Sequence, residues 1–187
     1  MELKLICSDF ISVNHYMNYR VVGKIVMAYK PTKTKDFEKR FSDYAKEQMK
    51  LQKWIKPTKD KFIFVDTIFY FPRIDMDCNN YYKSTLDTLT NCGIWEDDNM
   101  VLERSNRVYY DKENPRIEFT ITVAPYVGIF DNVQEYEHFK STCKKCRRFK
   151  NNCTIHRESL ESRIRDEVIK DAKNQWKCNK FKEVNIT

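Results

Sequence analysis

Acidic residues flank both ends of a short amphipathic segment that carries a lysine in its middle. The segment is DMDCNNYYKSTLDTLTNCGIWEDDN, residues 75–99, and its polar residues of chemical interest are Asp77, Asn79, Lys83, Asp87, Asp97 and Asp98. Asn79, Lys83 and Asp87 recur at every fourth position, so they share one face of a predicted helix. If the chain turns back after this helix, acids from its two ends converge, and converging carboxylates repel unless a cation lies between them.

Magnesium is the cation that best suits such a site. It often takes one or two carboxylates together with phosphate oxygens, and it promotes in-line displacement at a phosphodiester. Lys83 can then orient the scissile phosphate. The spacing alone leaves a plainer interpretation open, in which Asp77 caps the helix, Lys83 pairs with Asp87, and the later acids lie in a solvated turn.

The hydrophobic pattern predicts the elements that position these residues. Runs of β-branched and aromatic residues predict strands, and apolar residues at a spacing of three and four predict helices. The predicted strands cover residues 2–13, 20–29, 61–71, 100–111 and 116–126, and the predicted helices run from about Thr34 to Trp54 and from Asn79 to Asn91. The order β, β, α, β, α, β, β predicts an α+β fold with a mixed sheet and helices packed on one face.

The first two thirds of the chain, from SVNHY to RIEFTITV, resemble the RusA family of Holliday-junction resolvases. The family pattern is Asp-x-Asp-Asn-x-x-Lys, then Asp-Ala-Leu, a Gly-x-Trp turn and a paired Asp-Asp. In this chain the pattern stands as Asp77, Asn79, Asn80 and Lys83, then Asp87-Thr88-Leu89, Gly93-Ile94-Trp95 and Asp97-Asp98. Ser12-x-Asn14 followed by Tyr16 is also similar to the N-terminal element of the family.

The resemblance implies a homodimer that nicks four-way DNA junctions in pairs with Mg²⁺ or Mn²⁺. It implies that Asp77 and Asp98 are metal ligands, that Lys83 is the essential basic residue, and that Asp97 is a supporting acid. Position 79 departs from the family, because Asn79 stands where the family has a carboxylate. Asn79 still offers a carbonyl oxygen to the metal, but the site loses a negative charge, for which Asp75 or Asp87 could compensate.

A cluster of metal-ligand residues follows in CKKCRRFKNNCTIH. Cys143, Cys146, Cys153 and His156 form a C-x2-C and C-x2-H pattern, which is typical of a closed, structural Zn²⁺ site. Cys178 or His138 is an alternative fourth ligand to His156, and reduced thiols or a disulfide are alternatives to the metal.

The C-terminal third is predicted to be an appendage of residues 127–187, joined to a nuclease core of residues 1–126. It would contain the zinc knuckle and a helix over 158–176, with Leu160, Ile164, Val168 and Ala172 along one face. We expect cations of the knuckle to contact DNA phosphates, and residues near the N-terminus to contact bases, with Tyr16 and Tyr19 stacking on unpaired bases beside Arg20. The predicted DNA-binding residues are Asn14, Tyr16, Arg20, Lys144, Lys145, Arg147 and Arg148.

Composition narrows the classes of function. The formal net charge is +7 among 187 residues, which favours an anionic partner such as nucleic acid. No apolar run approaches a membrane span, and seven cysteines fit a reducing cytoplasm. The family resemblance implies that this is the cytoplasm of a bacterial host and that the source is a phage or prophage. The leading hypothesis is a magnesium-dependent endonuclease for branched DNA. The alternatives are a branched-DNA-binding protein without catalysis and a zinc-knuckle RNA-binding or regulatory protein.

Overall fold

The computed structural model describes residues 1–58, 61–149 and 152–184. These residues form two compact units. The first contains residues 1–58 and 63–123, and the second contains residues 61–62 and those from 124 onward.

The first unit is built around one mixed sheet. Its elements are β1 (Glu2–Cys7), α1 (Val13–Tyr16), β2 (Asn18–Val22), β3 (Ile25–Tyr29), α2 (Thr32–Leu51), β4 (Ile63–Phe71), α3 (Asn79–Cys92), a 3₁₀ turn (Asp98–Met100), β5 (Val101–Tyr110) and β6 (Arg116–Val123). The sheet has the order β1-β6-β4-β5. The β4–β5 pair is parallel, and the β1–β6 and β4–β6 pairs are antiparallel. The predicted α+β fold with a mixed sheet is confirmed.

The core of this unit lies between one face of the sheet and helices α2 and α3. Burial alternates strictly along β4, which is flanked on both sides, so its β-branched and aromatic run fills the centre of the sheet. Phe37 and Phe41 of α2 and Leu86 and Leu89 of α3 join the inward strand residues in one buried cluster. The apolar stripes predicted for both helices therefore face the same core.

The segment predicted as one strand over 20–29 is a hairpin instead. β2 and β3 pair antiparallel, with Val22 opposite Ile25. Gly23 adopts a left-handed φ of 64° in the connecting turn, which only glycine reaches without a steric cost. All ten residues of the two strands are exposed.

The second unit has a small core and short elements. These are α4 (Val133–Lys144), α5 (Thr154–Leu160), β7 (Val168–Lys170) and β8 (Trp176–Cys178), with β7 and β8 paired antiparallel. Five buried residues form the centre of its core: Phe130, Phe139, Cys143, Ile155 and Val168.

The predicted helix over 158–176 is wrong. The helix ends at Leu160, Ser162 follows in a left-handed conformation with φ 59°, and the chain then forms the β7–β8 hairpin. The Asp171 side chain accepts hydrogen bonds from the amides of Lys173 and Gln175 and so closes the hairpin turn. Val168 is buried, as the helical stripe required, but Ile164 is 83% exposed.

In the parts of the chain that the structure describes, no helix combines the length and apolar character needed to cross a membrane.

Candidate functional site

One cleft of the first unit collects most of the predicted catalytic side chains. It has a volume of about 480 Å³ and is lined by Asn79, Tyr82, Lys83, Leu86, Asp87, Asp98, Glu103 and Ser105. Asn79, Lys83 and Asp87 project from one face of α3, as their spacing predicts. Asp98 comes from the 3₁₀ turn, and Glu103 and Ser105 come from β5. The cleft therefore combines three carboxylates and one ammonium group.

The reversal that brings Asp98 back to α3 is fixed by a glycine and two tryptophans. Gly93 ends the helix with φ 81°, and its amide donates to the Leu89 and Thr90 carbonyls. The buried Trp95 donates its indole N–H to Thr90 Oγ1 at 2.7 Å, and Trp54 donates to the Ile94 carbonyl at 3.0 Å. These bonds hold the chain against the end of α3 and direct it towards β5.

The paired acids at 97 and 98 have different positions. The Asp97 side chain accepts the Asn99 amide at 3.2 Å and caps the 3₁₀ turn, whereas the Asp98 side chain lines the cleft. Asp97 therefore fixes the turn that presents Asp98. This position fits the supporting role that the resemblance implies for it.

Asp77 lies at the entrance of α3. Its carboxylate accepts the Asn79 amide at 3.0 Å, and its carbonyl accepts the Asn80 amide at 3.1 Å, so it caps the helix. Asp77 lines a second cleft of about 460 Å³, which Asn14, Arg73 and Asp75 also line. Asp77 and Asn79 thus line two different clefts, although both were predicted as ligands of one ion.

Glu103 is the cleft residue that the sequence reasoning missed. It follows the paired acids by five residues and belongs to the predicted strand over 100–111. Side chains alternate along a strand, so Glu103 and Ser105 lie on the same side as the buried Val101, which faces the core. A carboxylate placed on the inward face of a strand is the signal that could have identified it.

Tyr82 forms the wall of the cleft between α3 and β5. Its hydroxyl lies 2.8 Å from Ser105 Oγ, and burial raises the pKa of Tyr82, with Glu103 adding to the rise. The Tyr82–Ser105 bond links the helix that carries Lys83 to the strand that carries Glu103.

The family comparison covers the whole of this site. The sequence model described as Endodeoxyribonuclease RusA matches residues 12–122. The chain belongs to the RusA family. Membership implies Holliday-junction resolvase activity with a divalent metal. No curated protein matches the chain.

The RusA metal site is expected among the oxygen atoms of the cleft. Asp98 and Glu103 offer carboxylate oxygens and Asn79 a carbonyl oxygen, which are the hard ligands that magnesium prefers. Across the described residues, no three His, Cys, Asp or Glu side chains are arranged as a ready metal-binding group. The donor set of the cleft fits an ion that takes one or two carboxylates and completes its shell with water and phosphate oxygens.

The predicted stacking role of Tyr16 is wrong, because its side chain is buried. Tyr16 is only 3% exposed, and its hydroxyl donates to Glu38 at 2.5 Å and accepts from Lys30 at 3.0 Å. Burial raises the pKa of Tyr16 above its ordinary range, and the carboxylates of Glu38 and Asp87 add to the rise. In this RusA-family chain Tyr16 is a buried support beside Asp87, while Asn14 and Arg20 are exposed as a DNA contact requires.

Four cations of the second unit form what we call the basic cluster: Lys144, Lys145, Arg147 and Arg148. All four are exposed, and none has a salt-bridge partner among the residues that the structure describes. These side chains can therefore bind phosphate without first breaking an internal ion pair.

The zinc ligands predicted in this unit share one small cavity. Cys143, Cys146, Cys153 and His156 line it, and Cys178 joins them. Burial raises the pKa of Cys143 to about 12, with Cys178, Cys153 and Cys146 adding to the rise. His156 is held among aromatic rings, 4.9 Å from Phe149 and parallel to Phe139, and burial lowers its pKa.

Proposed function

We propose that the chain is a magnesium-dependent resolvase that cuts four-way junctions by paired nicking as a homodimer. The observation that supports this most strongly is the cleft, in which Lys83 and Asp98 lie together within the region matched to the family. The proposed substrate is branched DNA, in the cytoplasm of a bacterial host, and the proposed source is a phage or prophage.

Asp98 and Glu103 are the proposed carboxylate ligands, with Asn79 as a neutral oxygen ligand, whereas Asp77 lines the other cleft. A divalent ion held there would activate the attacking water and stabilise the leaving oxygen. Asp97 holds the turn that presents Asp98, and the Tyr82–Ser105 bond attaches α3 to the strand that carries Glu103.

Lys83 is the proposed phosphate-binding residue. Among the described residues that line this cleft, it is the only one with a basic side chain, and no ion pair within the described chain engages its ammonium group. A cation preorganised at the edge of an acidic site can hold a non-bridging phosphate oxygen and stabilise the charge that develops on it.

Glu103 is the proposed compensation for Asn79. It places a carboxylate on the β5 side of the cleft, opposite the α3 face where Asn79 replaces the family's carboxylate. Asp87 is the weaker candidate, because it also lies beside the buried Tyr16 hydroxyl. Removal of the Glu103 charge should then reduce cleavage, although Glu103 lies outside the family's acidic pattern.

The decisive experiment measures Mg²⁺- and Mn²⁺-dependent nicking of a synthetic four-way junction. Asp98→Asn should abolish cleavage, and Glu103→Gln should reduce it by about 10²–10³-fold, the usual effect of removing one charge-stabilising group. Asn79→Asp should preserve or raise cleavage and restore part of the activity of Glu103→Gln in the double variant.

Glu113→Gln is the matched control, because Glu113 is an exposed acid of the turn between β5 and β6. It should cleave like the parent chain. Full cleavage by Asp98→Asn would reject the site, and wild-type activity of Glu103→Gln would reject the compensation.

The homodimer is supported by an exposed apolar surface on the β2–β3 hairpin. Tyr19, Val21 and Val26 share one face of the hairpin and are each between 66% and 71% exposed. Contiguous exposed apolar surface usually marks an interaction site. A second copy is the fitting occupant, because paired cuts in a near two-fold symmetric junction require two equivalent active sites.

The dimer is tested by the molecular mass in solution of the chain carrying Val21→Lys and Val26→Lys. These residues face each other across the hairpin, and the two charges should convert a dimer into a monomer and uncouple the paired cuts. Ile164→Lys is the control, because Ile164 is 83% exposed outside the hairpin. A wild-type mass for the double variant would place the interface elsewhere.

Asn79 favours a second candidate, a branched-DNA-binding protein that does not cleave. Loss of one carboxylate weakens a site for a divalent cation. Junction binding without nicking at any Mg²⁺ or Mn²⁺ concentration, in both the parent chain and Asn79→Asp, would support this second function.

A further inference from the structure

Four cysteines of the second unit surround a cavity that has room for one small occupant. Cys143 lies in the last turn of α4, Cys146 lies in the following turn, Cys153 precedes α5, and Cys178 ends β8. The cavity volume is about 20 Å³, close to the volume that holds a single water-sized sphere. Segments distant in sequence thus deliver four sulphur atoms to one enclosed space.

The backbone of the turn is arranged around the sulphur of Cys146. The Cys146 amide donates to the Cys143 carbonyl at 2.8 Å, and the Lys182 amide approaches Cys146 Sγ at 3.4 Å. An amide N–H directed at a sulphur stabilises its ionised form, as hydrogen bonds around metal ligands commonly do.

The chain after β8 is fastened to the same turn. The Arg147 amide donates to the Lys182 carbonyl at 2.7 Å, and the Val184 amide donates to the Lys145 carbonyl at 3.1 Å. These bonds hold the segment that begins at Cys178 beside the Cys143–Cys146 pair. The sequence left Cys178 only as an alternative fourth ligand, because it lies 25 residues beyond Cys153.

We propose that Cys143, Cys146, Cys153 and Cys178 bind one structural Zn²⁺, with Cys178 in the place that the sequence spacing assigned to His156. Tetrahedral coordination by four thiolates is a usual form of structural zinc site. Each thiol releases its proton to solvent as it binds the ion. Since the described side chains do not form a ready metal group, binding requires thiol rotation about the Cα–Cβ bonds, which moves a sulphur without moving the backbone.

A bound metal would add stability to this unit, whose hydrophobic core is small. Its elements are two helices and a hairpin of three-residue strands, and one of the five residues at the centre of its core is Cys143 itself. Small units with cores of this size commonly gain their stability from a metal or from disulfides. The basic cluster lies within and directly after the Cys143–Cys146 turn, so the same ion would also make that surface rigid.

The test is the zinc content of the purified full-length chain, measured by elemental analysis with Co²⁺ substitution as the spectroscopic readout. We expect one metal ion per chain and the charge-transfer absorption of cobalt–thiolate coordination. Cys178→Ser should lose metal affinity more than about tenfold, while His156→Gln and the control Cys92→Ser of the first unit should keep it.

A second measurement needs no variant and covers the case in which Cys178→Ser does not fold. Mass spectrometry of the alkylated parent chain should show all four cysteines protected with Zn²⁺ and reactive after chelation. Retention of zinc by Cys178→Ser with its loss in His156→Gln would overturn the ligand assignment. A folded chain that binds neither Zn²⁺ nor Co²⁺, or a disulfide among the four cysteines, would overturn the site.

Discussion

Replacement of Tyr16 by phenylalanine separates a structural from a DNA-stacking role for this residue. The substitution keeps the aromatic ring and removes only the hydroxyl, which donates to Glu38 and accepts from Lys30. If the ring stacks on DNA bases, the substitution should change neither DNA binding nor stability. If the buried hydroxyl anchors two charged partners, the substitution should lower the stability of the fold.

The expected loss of stability follows from these contacts. A hydrogen bond to a charged group contributes about 1.5–3 kcal/mol. The Lys30–Glu38 ion pair at 2.5 Å persists in the variant and is partly solvated, so we expect the free energy of unfolding to fall by about 2 kcal/mol. For a chain of this size, about 1 kcal/mol lowers Tm by roughly 2–4 °C, so Tm should fall by about 4–8 °C.

The pH dependence supplies an independent check. The folded-state pKa of Tyr16 is raised, mainly by burial, so the protonated hydroxyl stabilises the fold fully below the ordinary tyrosine pKa of about 10. This contribution is lost as pH rises beyond that value, because the unfolded chain then ionises more readily than the folded one. The stability difference between parent and Tyr16→Phe should therefore shrink in alkaline solution.

Urea unfolding followed by circular dichroism, together with thermal melting, measures both quantities. Tyr19→Phe is the matched control, because Tyr19 is 71% exposed, and it should leave Tm unchanged. If Tyr16→Phe melts like the parent chain, the hydroxyl does not stabilise the fold and the structural role of Tyr16 is refuted.

Two further predictions concern glycine turns and the basic cluster. Gly128→Ala should destabilise the second unit severely, because an added Cβ would lie 2.0 Å from the Ser159 carbonyl oxygen. Gly23→Ala, where no atom of the described residues lies within 4 Å of the added Cβ, should cost only the left-handed strain of about 1–2 kcal/mol, and urea unfolding compares the two. Replacing the basic cluster with glutamine should weaken junction binding and reduce the slope of log K against log salt by about 0.9 for each phosphate that is no longer neutralised. Lys144→Arg with Lys145→Arg preserves the charge and should leave that slope unchanged. An equal reduction of the slope in the glutamine and the arginine variants would contradict an electrostatic role.

Local patterns in the sequence were sufficient to predict most of the helices and strands of the first unit. The helical spacing of Asn79, Lys83 and Asp87 predicts their shared face, and the apolar runs predict the strands, because each signal depends on residues a few positions apart. The family pattern around Gly93 and Trp95 likewise identifies the turn that returns Asp98 to the helix.

The sequence did not predict features that depend on distant residues. Glu103 enters the cleft because β5 pairs parallel with β4 and presents one face to α3. Tyr16 is buried because Lys30 and Glu38 close over its hydroxyl. The predicted helix over 158–176 failed because the Asp171 turn and the burial of Val168 in a hairpin outweigh its helical spacing.

The sequence by itself therefore determined the fold class, the family and the face of α3 that carries Lys83. Only the tertiary structure decided which other side chains reach that face, and that Cys178 lies beside the Cys143–Cys146 turn. The physical reason is that helical periodicity and turn chemistry act over neighbouring residues. Strand pairing and burial bring together residues whose separation along the chain carries no signal of contact.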